Sequence, residues 1–437
     1  MTRSTENTDA CGAEAPGHRL WTVDEHLADV LSTVAPLPAI ELQLLDAHGC
    51  RLDEDVVAAG DLPPFDNSSM DGYAVRTADT VGADSTYPSV LSVIGDIAAG
   101  AGELPKVGPG QAARIMTGAP VPPGAEAIAP VEWTDGGTGS GQAAASMGAP
   151  VADEEVRVLR EVAAGAHIRR RGSDIKAGDQ VLDSGTELGP TQLGLLAAIG
   201  RGTVRVRPRP RVVVLSTGSE LVQPGEPVGP GQISDSNSFT LTAAAQEAGA
   251  IAYRVGGVPD DPAVLRAVLE DQLSRADLIV TSGGVSVGAY DVVKEAFASY
   301  GRVDFRRLRM QPGKPQGFGR IGAGAGVPLL ALPGNPVSAY ISFELFVRPV
   351  IRTMLGATDV HRPVVRAVCG AELSSPAGRR QFLRGWYSAA DATVQPIGGE
   401  GSHLVGALAR ANCLIVVPED TVATGTGETV DVVLLTD

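Results

Sequence analysis

Residues 277–291 read DLIVTSGGVSVGAYD. Asp277 to Thr281 is a short apolar run with β-branched Ile279, Val280 and Thr281, and it breaks into Ser282-Gly283-Gly284 and then Gly288. A buried strand ending in paired glycines suits an anion-binding loop. Glycine lets backbone N–H groups approach a phosphate, and a helix starting just after adds the positive end of its dipole. Asp291-Val292-Val293-Lys294-Glu295 is the candidate start of that helix, with Asp291 near its N-terminus. Taken alone, the stretch fits a tight turn after a core strand equally well, and its neighbours decide between the two.

Around it the pattern alternates. Val212 to Leu215 reads as a strand followed by Ser216-Thr217-Gly218-Ser219-Glu220. Helices are predicted over Asn237 to Ala248, Pro262 to Leu273, Val292 to Ser299 and Val337 to Met354, and strands over Ile251 to Val255, Leu278 to Thr281 and Val327 to Leu332. Strands and helices alternating at this spacing predict a doubly wound α/β domain over residues 208–355. Ligands of such sheets bind at the carboxyl ends of the strands. Three loops there, STGSE, SGGVSVG and PGNPVS, are rich in Gly, Ser or Pro and are expected to cluster on one edge.

The flanks differ. Val23 to Val34 carries apolar residues at helical spacing and stops at Pro36 and Pro38. From Leu62 to about Glu132, short runs (Tyr73 to Val75, Val90 to Ile94, Ala112 to Ile115) separated by Gly and Pro predict a small β-domain. Gly136 to Gly148 reads as an exposed loop, Val156 to Leu159 as a returning strand, and Thr191 to Ile199 as a short helix with Pro190 near its start. Alternating segments at Val364 to Val368 and Cys413 to Val417 predict a C-terminal β-domain.

Bulk properties exclude several classes. The 437 residues suggest two to four domains, and a net charge of −16 disfavours nonspecific binding to DNA or anionic membrane. With aromatic residues at only 4%, a stacking platform for single-stranded nucleic acid is not expected either. A polyanionic small molecule would need positive charge concentrated locally. Arg169 to Arg171 with Lys176 form one cluster; Arg306, Arg307, Arg309 and Lys314 form another. Arg205, Arg207, Arg209 and Arg211 read as the solvated face of a strand or an extended linker. Cys11, Cys50, Cys369 and Cys413 are scattered without a CxxC pair, as for reduced thiols in a cytosolic protein, and the six histidines have no ligand spacing. The N-terminal segment has no apolar h-region and no run long enough to cross a bilayer, so residues 1–18 read as a disordered leader. The expected location is cytoplasmic, with neither nucleic acid nor membrane as partner.

Eight segments occur in order: FDNSSMDGYAV (65–75), RIMTGAPVPPGAEAI (114–128), RRRGSDIKAGD (169–179), STGSEL (216–221), SDSN (234–237), SGGVSVG (282–288), PGKPQGFG (312–319) and LPGNPVSA (332–339). In these the chain resembles the molybdopterin molybdenumtransferase (MoeA) family, which includes the E domain of gephyrin, from about residue 20 to the C-terminus. The resemblance implies an α/β plus β fold. An elongated, multi-domain subunit would carry a doubly wound MogA-like α/β domain (208–355), a β-domain inserted near the N-terminus (62–159), a linking domain (19–61 and 160–207) and a C-terminal β-domain (356–437). It also implies the reaction: molybdate is inserted at the dithiolene sulfurs of adenylylated molybdopterin, and the phosphoanhydride is cleaved to release AMP. The family needs a divalent cation, usually Mg²⁺. It forms homodimers with the active site in a cleft between the β-domain of one subunit and the other domains of its partner. Transient contact with an adenylyltransferase is a further expected partnership.

The roles follow by position. Ser282, Gly283, Gly284, Ser286 and Gly288 would cradle phosphate and pterin. Asp291 and Glu220 would hold Mg²⁺, which prefers hard oxygen ligands; Asp291 equally fits a helix N-cap. Lys314, stiffened by Pro312 and Pro315, Arg307 on the preceding strand, and Ser338 near a helix start would bind the oxyanion. Asp260 resembles a family acidic residue, though a turn Asp before a helix explains it nearly as well. Asp71 and Thr117 match family site positions although both suit turns. Arg384 and Ser402 match C-terminal positions. Arg306 and Arg309 are expected on a solvated face, and Arg169 to Arg171 either face a subunit interface or brace a bend. The chain departs from the common pattern at Ser219, often Asp, at Gln311, often Lys, and at Tyr290, often small. Two other readings remain at this stage: a molybdopterin adenylyltransferase, which the related fold performs as a single short domain, and a non-catalytic scaffold that binds and delivers pterin.

Overall fold

A computed structural model describes residues 19–148, 155–259, 261–283 and 301–436. The chain divides into two compact units. The first falls within Met1–Glu41, Gly49–Asp53 and Arg205–Asp437, the second within Leu42–His48 and Glu54–Val204.

The first unit is built on a seven-stranded sheet. Its strands are β1 (Leu20–Trp21), β2 (Arg211–Thr217), β3 (Ile251–Val258), β4 (Leu278–Ser282), β5 (Gly301–Leu308), β6 (Pro315–Ile321) and β7 (Val327–Leu332), in the spatial order β1-β5-β6-β7-β4-β2-β3. Four neighbours, β7, β4, β2 and β3, run parallel, with Val213 level with Ile279 and Ile279 level with Leu329. Their apolar runs alternate between two cores, as the period of two in a strand requires. Val212, Val214, Leu278, Val280, Leu330 and Leu332 pack on one face. There they meet α1 (Val23–Ser32), α2 (Asn237–Glu247), α4 (Pro336–Ser342) and α5 (Arg348–Met354). Val213, Leu215, Ile279, Leu329 and Ala331 pack on the other, against α3 (Pro262–Leu273). Helices on both faces are the doubly wound arrangement expected.

Local sequence sets the helix ends. Thr22 caps α1 in a reciprocal box: its hydroxyl accepts from the Glu25 N–H at 3.1 Å, and the Glu25 carboxylate accepts from the Thr22 N–H at 2.9 Å. Asp261 caps α3, accepting from the Ala263 and Val264 N–H groups, and Pro262 occupies the first turn, where its missing N–H costs nothing. A π-turn at Phe343–Val347 joins α4 to α5, so the helical run from Pro336 to Met354 is continuous. The helix predicted over Val292 to Ser299 and the leader at residues 1–18 lie outside the described residues.

The sheet is mixed. β5 runs antiparallel to β6, and β6 antiparallel to β7, because residues 309–314 and 322–326 are too short to carry a parallel crossover. Gly322, Gly324 and Gly326 in the second connection all have φ between 65° and 97°. β1 pairs parallel with β5 and completes that edge.

The remainder of the first unit is a barrel of β8 (Val364–Cys369), β9 (Arg380–Ser388), β10 (Thr393–Pro396), β11 (Cys413–Val417) and β12 (Thr429–Leu434). The order β9-β10-β8-β12-β11 closes where β11 pairs back onto β9. A short strand, Met310–Gln311, pairs parallel with Arg380 and Gln381 and so joins the barrel to the β5–β6 connection. Arg380 also reaches back to α1, donating to both Asp24 carboxylate oxygens at 2.8 Å.

The second unit holds a five-stranded sheet in the order Glu155–Val158, Ser89–Ile97, Gln111–Ile115, Gly72–Val75, Ala127–Pro130. It also carries the helix Pro190–Ala198, with Pro190 in its first turn. No helix among the described residues is long and apolar enough to cross a membrane.

One expectation about the arginines is corrected and another gains partners. The Arg306 side chain is only 10% exposed; it pairs with Asp29 at 2.6 Å and lies 4.0 Å over the Trp21 ring, where Arg19 approaches at 4.5 Å. The docking of β1 and α1 against β5 buries it, and no sequence pattern announces such a long-range contact. Arg205 and Arg207 alternate with buried Val204 and Val206, but both pair with Asp53. Arg209 donates to the Gly249 and Ala250 carbonyls, and Arg211 pairs with Asp277. Arg205 and Arg211 face solvent as expected, and all four arginines also tie the chain into the first unit. Arg170 and Arg171 pair with Asp66 and Asp61 respectively, a bracing geometry within the second unit.

Candidate functional site

The carboxyl ends of β2, β4 and β7 open onto one hollow of about 1060 Å³. Thr217, Ser282 and Gly283, Pro333 to Pro336, the 311–315 connection and residues 400–403 of the barrel all line it. Each loop takes its place for a local reason. Gly283 has φ +96°, and a Cβ there would lie 2.5 Å from the Thr217 carbonyl oxygen, so only glycine fits. A Cβ on Gly334 would come within 3.6 Å of the Gly283 Cα, so the β4 and β7 loops nearly touch. Asn237, at the start of α2, ties them together: its side-chain amide donates to the Ser282 hydroxyl and to the Gly334 carbonyl, both at 2.7 Å. Beneath it Asp235, 1% exposed, accepts from the Ser216 hydroxyl at 2.5 Å and from the Ser238 hydroxyl at 2.6 Å.

The opposite wall supplies charge. Lys314 and Pro315 sit at the end of the β5–β6 connection, and Gln311, Pro312 and Gly313 continue the lining. Ser338, 4% exposed, lies in the first turn of α4, whose dipole points its positive end at the hollow. The Ser402 carbonyl accepts from the Val337 N–H at 3.0 Å, which docks the barrel loop onto that helix start. Glu220 lines the mouth, its carboxylate folded over Gly218: a Cβ there would lie 2.7 Å from Oε2.

The residues singled out in the sequence therefore divide. Glu220, Ser282, Gly283, Lys314, Pro315, Ser338 and Ser402 share the hollow. Arg307 is exposed on β5 and is not among the lining residues. Arg384 is 2% exposed on β9, behind the barrel loop, where it donates to the Gly399 carbonyl and burial lowers the pKa of its guanidinium. Asp71 and Thr117 belong to the second unit and meet each other there. The Thr117 N–H and hydroxyl donate to one Asp71 oxygen at 2.6 and 2.8 Å, and these bonds hold the Asp71 carboxyl below the usual carboxylate range. Asp260, Gly284, Ser286, Gly288 and Asp291 lie outside the described residues. Among the described residues no group of three or more His, Cys, Asp or Glu side chains is arranged to hold a metal.

Asp235, Asn237, Gln311, Glu400 and His403 also line the hollow. SDSN at 234–237 stands out in the sequence as a motif without an assigned role. Glu400 and His403 flank Ser402 and carried no pattern of their own.

Comparison with known proteins bears on the whole length. Residues 21–200 match the MoeA N-terminal region (domain I and II), residues 213–353 a probable molybdopterin binding domain, and residues 366–435 the MoeA C-terminal region (domain IV). The chain is 46% identical to molybdopterin molybdenumtransferase 2 of Mycobacterium tuberculosis, over 93% of this chain and 97% of that protein. It is 34% identical to the molybdopterin molybdenumtransferase of Haemophilus influenzae, over 94% and 98%. The crystal structure of a molybdopterin biosynthesis MoeA protein from Pyrococcus horikosii superposes with a TM-score of 0.72 at 31% identity, covering 96% of this chain and all of that one. Matched along its length by sequence and by fold, the chain belongs to the MoeA family of molybdopterin molybdenumtransferases.

Proposed function

We propose that the chain inserts molybdate into adenylylated molybdopterin and releases AMP, giving molybdenum cofactor. One observation carries this reading: hydroxyl- and glycine-rich strand ends, a lysine and a helix N-terminus converge on a single hollow. Ser282, its hydroxyl held by the Asn237 amide, presents a hydroxyl suited to the phosphates and pterin, and Gly283, without a side chain, leaves room for their close approach. Lys314, Ser338 and the first turn of α4 present positive charge and donors suited to an oxyanion. Ser402 and Arg384 would shape the far side of the same site, the arginine acting from behind its loop.

A divalent cation is part of this proposal. Glu220, Asp235 and Glu400 bring carboxylates to a hollow meant for anions, and the Asp235 oxygens already accept from two hydroxyls. Glu220 offers a hard oxygen at the mouth, the donor chemistry Mg²⁺ prefers. Together with Asp291 it would hold the ion, which would supply charge neutralisation and Lewis acidity at the phosphoanhydride. We further propose a cytoplasmic homodimer in which Asp71 and Thr117 act on the same substrate. Substrate would arrive by transient contact with an adenylyltransferase.

Purified protein incubated with adenylylated molybdopterin, molybdate and Mg²⁺ is expected to release AMP and yield cofactor able to reconstitute a molybdoenzyme. Consumption of ATP and free molybdopterin would replace the proposal with an adenylyltransferase. Binding without turnover would replace it with a carrier.

A further inference from the structure

We infer that Gln316 is a positioning residue that fixes the spacing between Lys314 and Ser338, and so sets the affinity for the oxyanion. This rests on the proposed function above. Gln316 lies on β6, 2% exposed and outside the lining of the hollow. Its amide nitrogen donates to the Gly313 carbonyl at 2.7 Å and to the Ser342 hydroxyl at 2.6 Å. Both N–H groups of the amide are thereby used. Gly313 immediately precedes Lys314 in the loop. Ser342 is fully buried at the end of α4, one helical turn beyond Ser338 and on the same face. The amide thus bridges the two elements that carry the lysine and the serine into the hollow.

The packing around the bridge leaves no slack. Gly313 has φ +103°, and a Cβ there would come within 2.9 Å of the Met310 methyl, 3.0 Å of the Ser342 hydroxyl and 3.4 Å of the Gln316 nitrogen. The Leu308 N–H donates to the Lys314 carbonyl at 2.7 Å and closes the other side of the connection. A methionine at 316 would fill the space but strand the buried Gly313 carbonyl without a donor. A glutamate could accept from Ser342 but not donate to Gly313, and it would bury a charge. Only an amide makes both bonds at this length. Displacing a binding group by an ångström can cost orders of magnitude in rate or affinity, so the cost of losing the bridge falls on the oxyanion.

The test compares wild type, Gln316→Met and Ser342→Ala in the full-length protein. Molybdate and adenylylated molybdopterin binding are read separately by calorimetry, and KM and kcat for molybdate by AMP release. Gln316→Met is expected to weaken molybdate binding and raise its KM about tenfold, with kcat at saturation, pterin affinity and far-UV circular dichroism unchanged. Ser342→Ala is expected to do the same to a smaller degree, and the double variant to be no worse than Gln316→Met, as for two ends of one bridge. Wild-type molybdate affinity in Gln316→Met overturns the inference, as does equal loss of molybdate and pterin binding, which signals general loosening. If Gln316→Met fails to fold, Ser342→Ala decides: weakened molybdate binding with intact pterin binding supports the bridge, and unchanged binding overturns it. A wild-type protein that neither binds molybdate nor releases AMP overturns the proposed function itself, a result distinct from a wild type that does both beside an indistinguishable Gln316→Met.

Discussion

The two halves of the seven-stranded sheet bring different chemistry to the same hollow. The parallel half, β7-β4-β2-β3, contributes close backbone, hydroxyls and an amide: Thr217, Ser282, Gly283 and Asn237. The mixed half, β1-β5-β6, in which β6 alone runs against the other strands, contributes the cation Lys314 at the short β5–β6 connection. Parallel strands end together on one edge, which favours a cradle of N–H groups for an extended ligand. A short antiparallel connection fixes a single side chain with little entropy left to lose, which favours a compact anion. The comparison teaches that ligand chemistry follows the connections here: broad recognition where parallel strands end side by side, a point charge where a short hairpin turns back.

Four substitutions or conditions press on that division. Gly283→Ala attacks the parallel half where a Cβ would strike the Thr217 carbonyl. It should destabilise the protein by about 3 kcal/mol and abolish detectable pterin binding, both readable by denaturant unfolding and calorimetry. Lys314→Ala attacks the other half: molybdate affinity should fall about 100-fold while pterin binding stays near wild type. Loss of both affinities in either variant would erase the distinction.

Acid should separate the halves more gently. His26 packs edge-on against Phe346 beside Arg306 and Asp29, and burial together with the Arg306 charge lowers its pKa from 6.5 to about 4. The unfolded chain therefore takes up a proton below pH 6.5 that the folded chain refuses until about pH 4. The stabilisation is complete above pH 6.5, falls by roughly 1 kcal/mol at pH 5.5, and is lost as pH approaches 4. Hydrogen exchange at pH 5.5 should show β5 and α1 loosening before β2 and β4, and His26→Phe should remove the difference. The smallest effect expected is a gain. Gln311 lines the hollow next to the lysine loop, and Gln311→Lys should tighten molybdate binding several-fold, up to about tenfold. Unchanged affinity by calorimetry would refute it.

The parallel half was legible because its signals are local. Asp261-Pro262 marks the start of a helix, and the helix runs from Pro262 to Leu273 as predicted; Val327–Leu332 is an unbroken apolar run and a strand with those limits. The strand β6 was not. Pro315, Gly317 and Gly319 interrupt β6, so it lacks the β-branched periodicity of a strand, and only its two partners stabilise it. Arg306 reads as an ordinary surface cation and Arg384 as a site residue, and the burial of neither is announced, because burial of a guanidinium depends on which distant element covers it: α1 covers the first, and the second donates to the Gly399 carbonyl. In the hollow, Ser282, Lys314 and Ser338 stood out because glycine, proline and hydroxyl clusters are rare and local. Asn237 and Gln316 fall inside quoted motifs yet carry no visible role there, since their work is to join elements far apart in sequence.

The stacking at Trp21 gives the molecule an optical handle. That indole lies under two guanidiniums, 4.0 and 4.5 Å away, on a strand of only two residues. Should that strand peel from its neighbour, the ring would enter water and its emission would move to longer wavelength. Of the three tryptophans, Trp133 and Trp386 can be changed to phenylalanine, leaving one emitter that reports whether the sheet's outer edge is latched while the protein turns over.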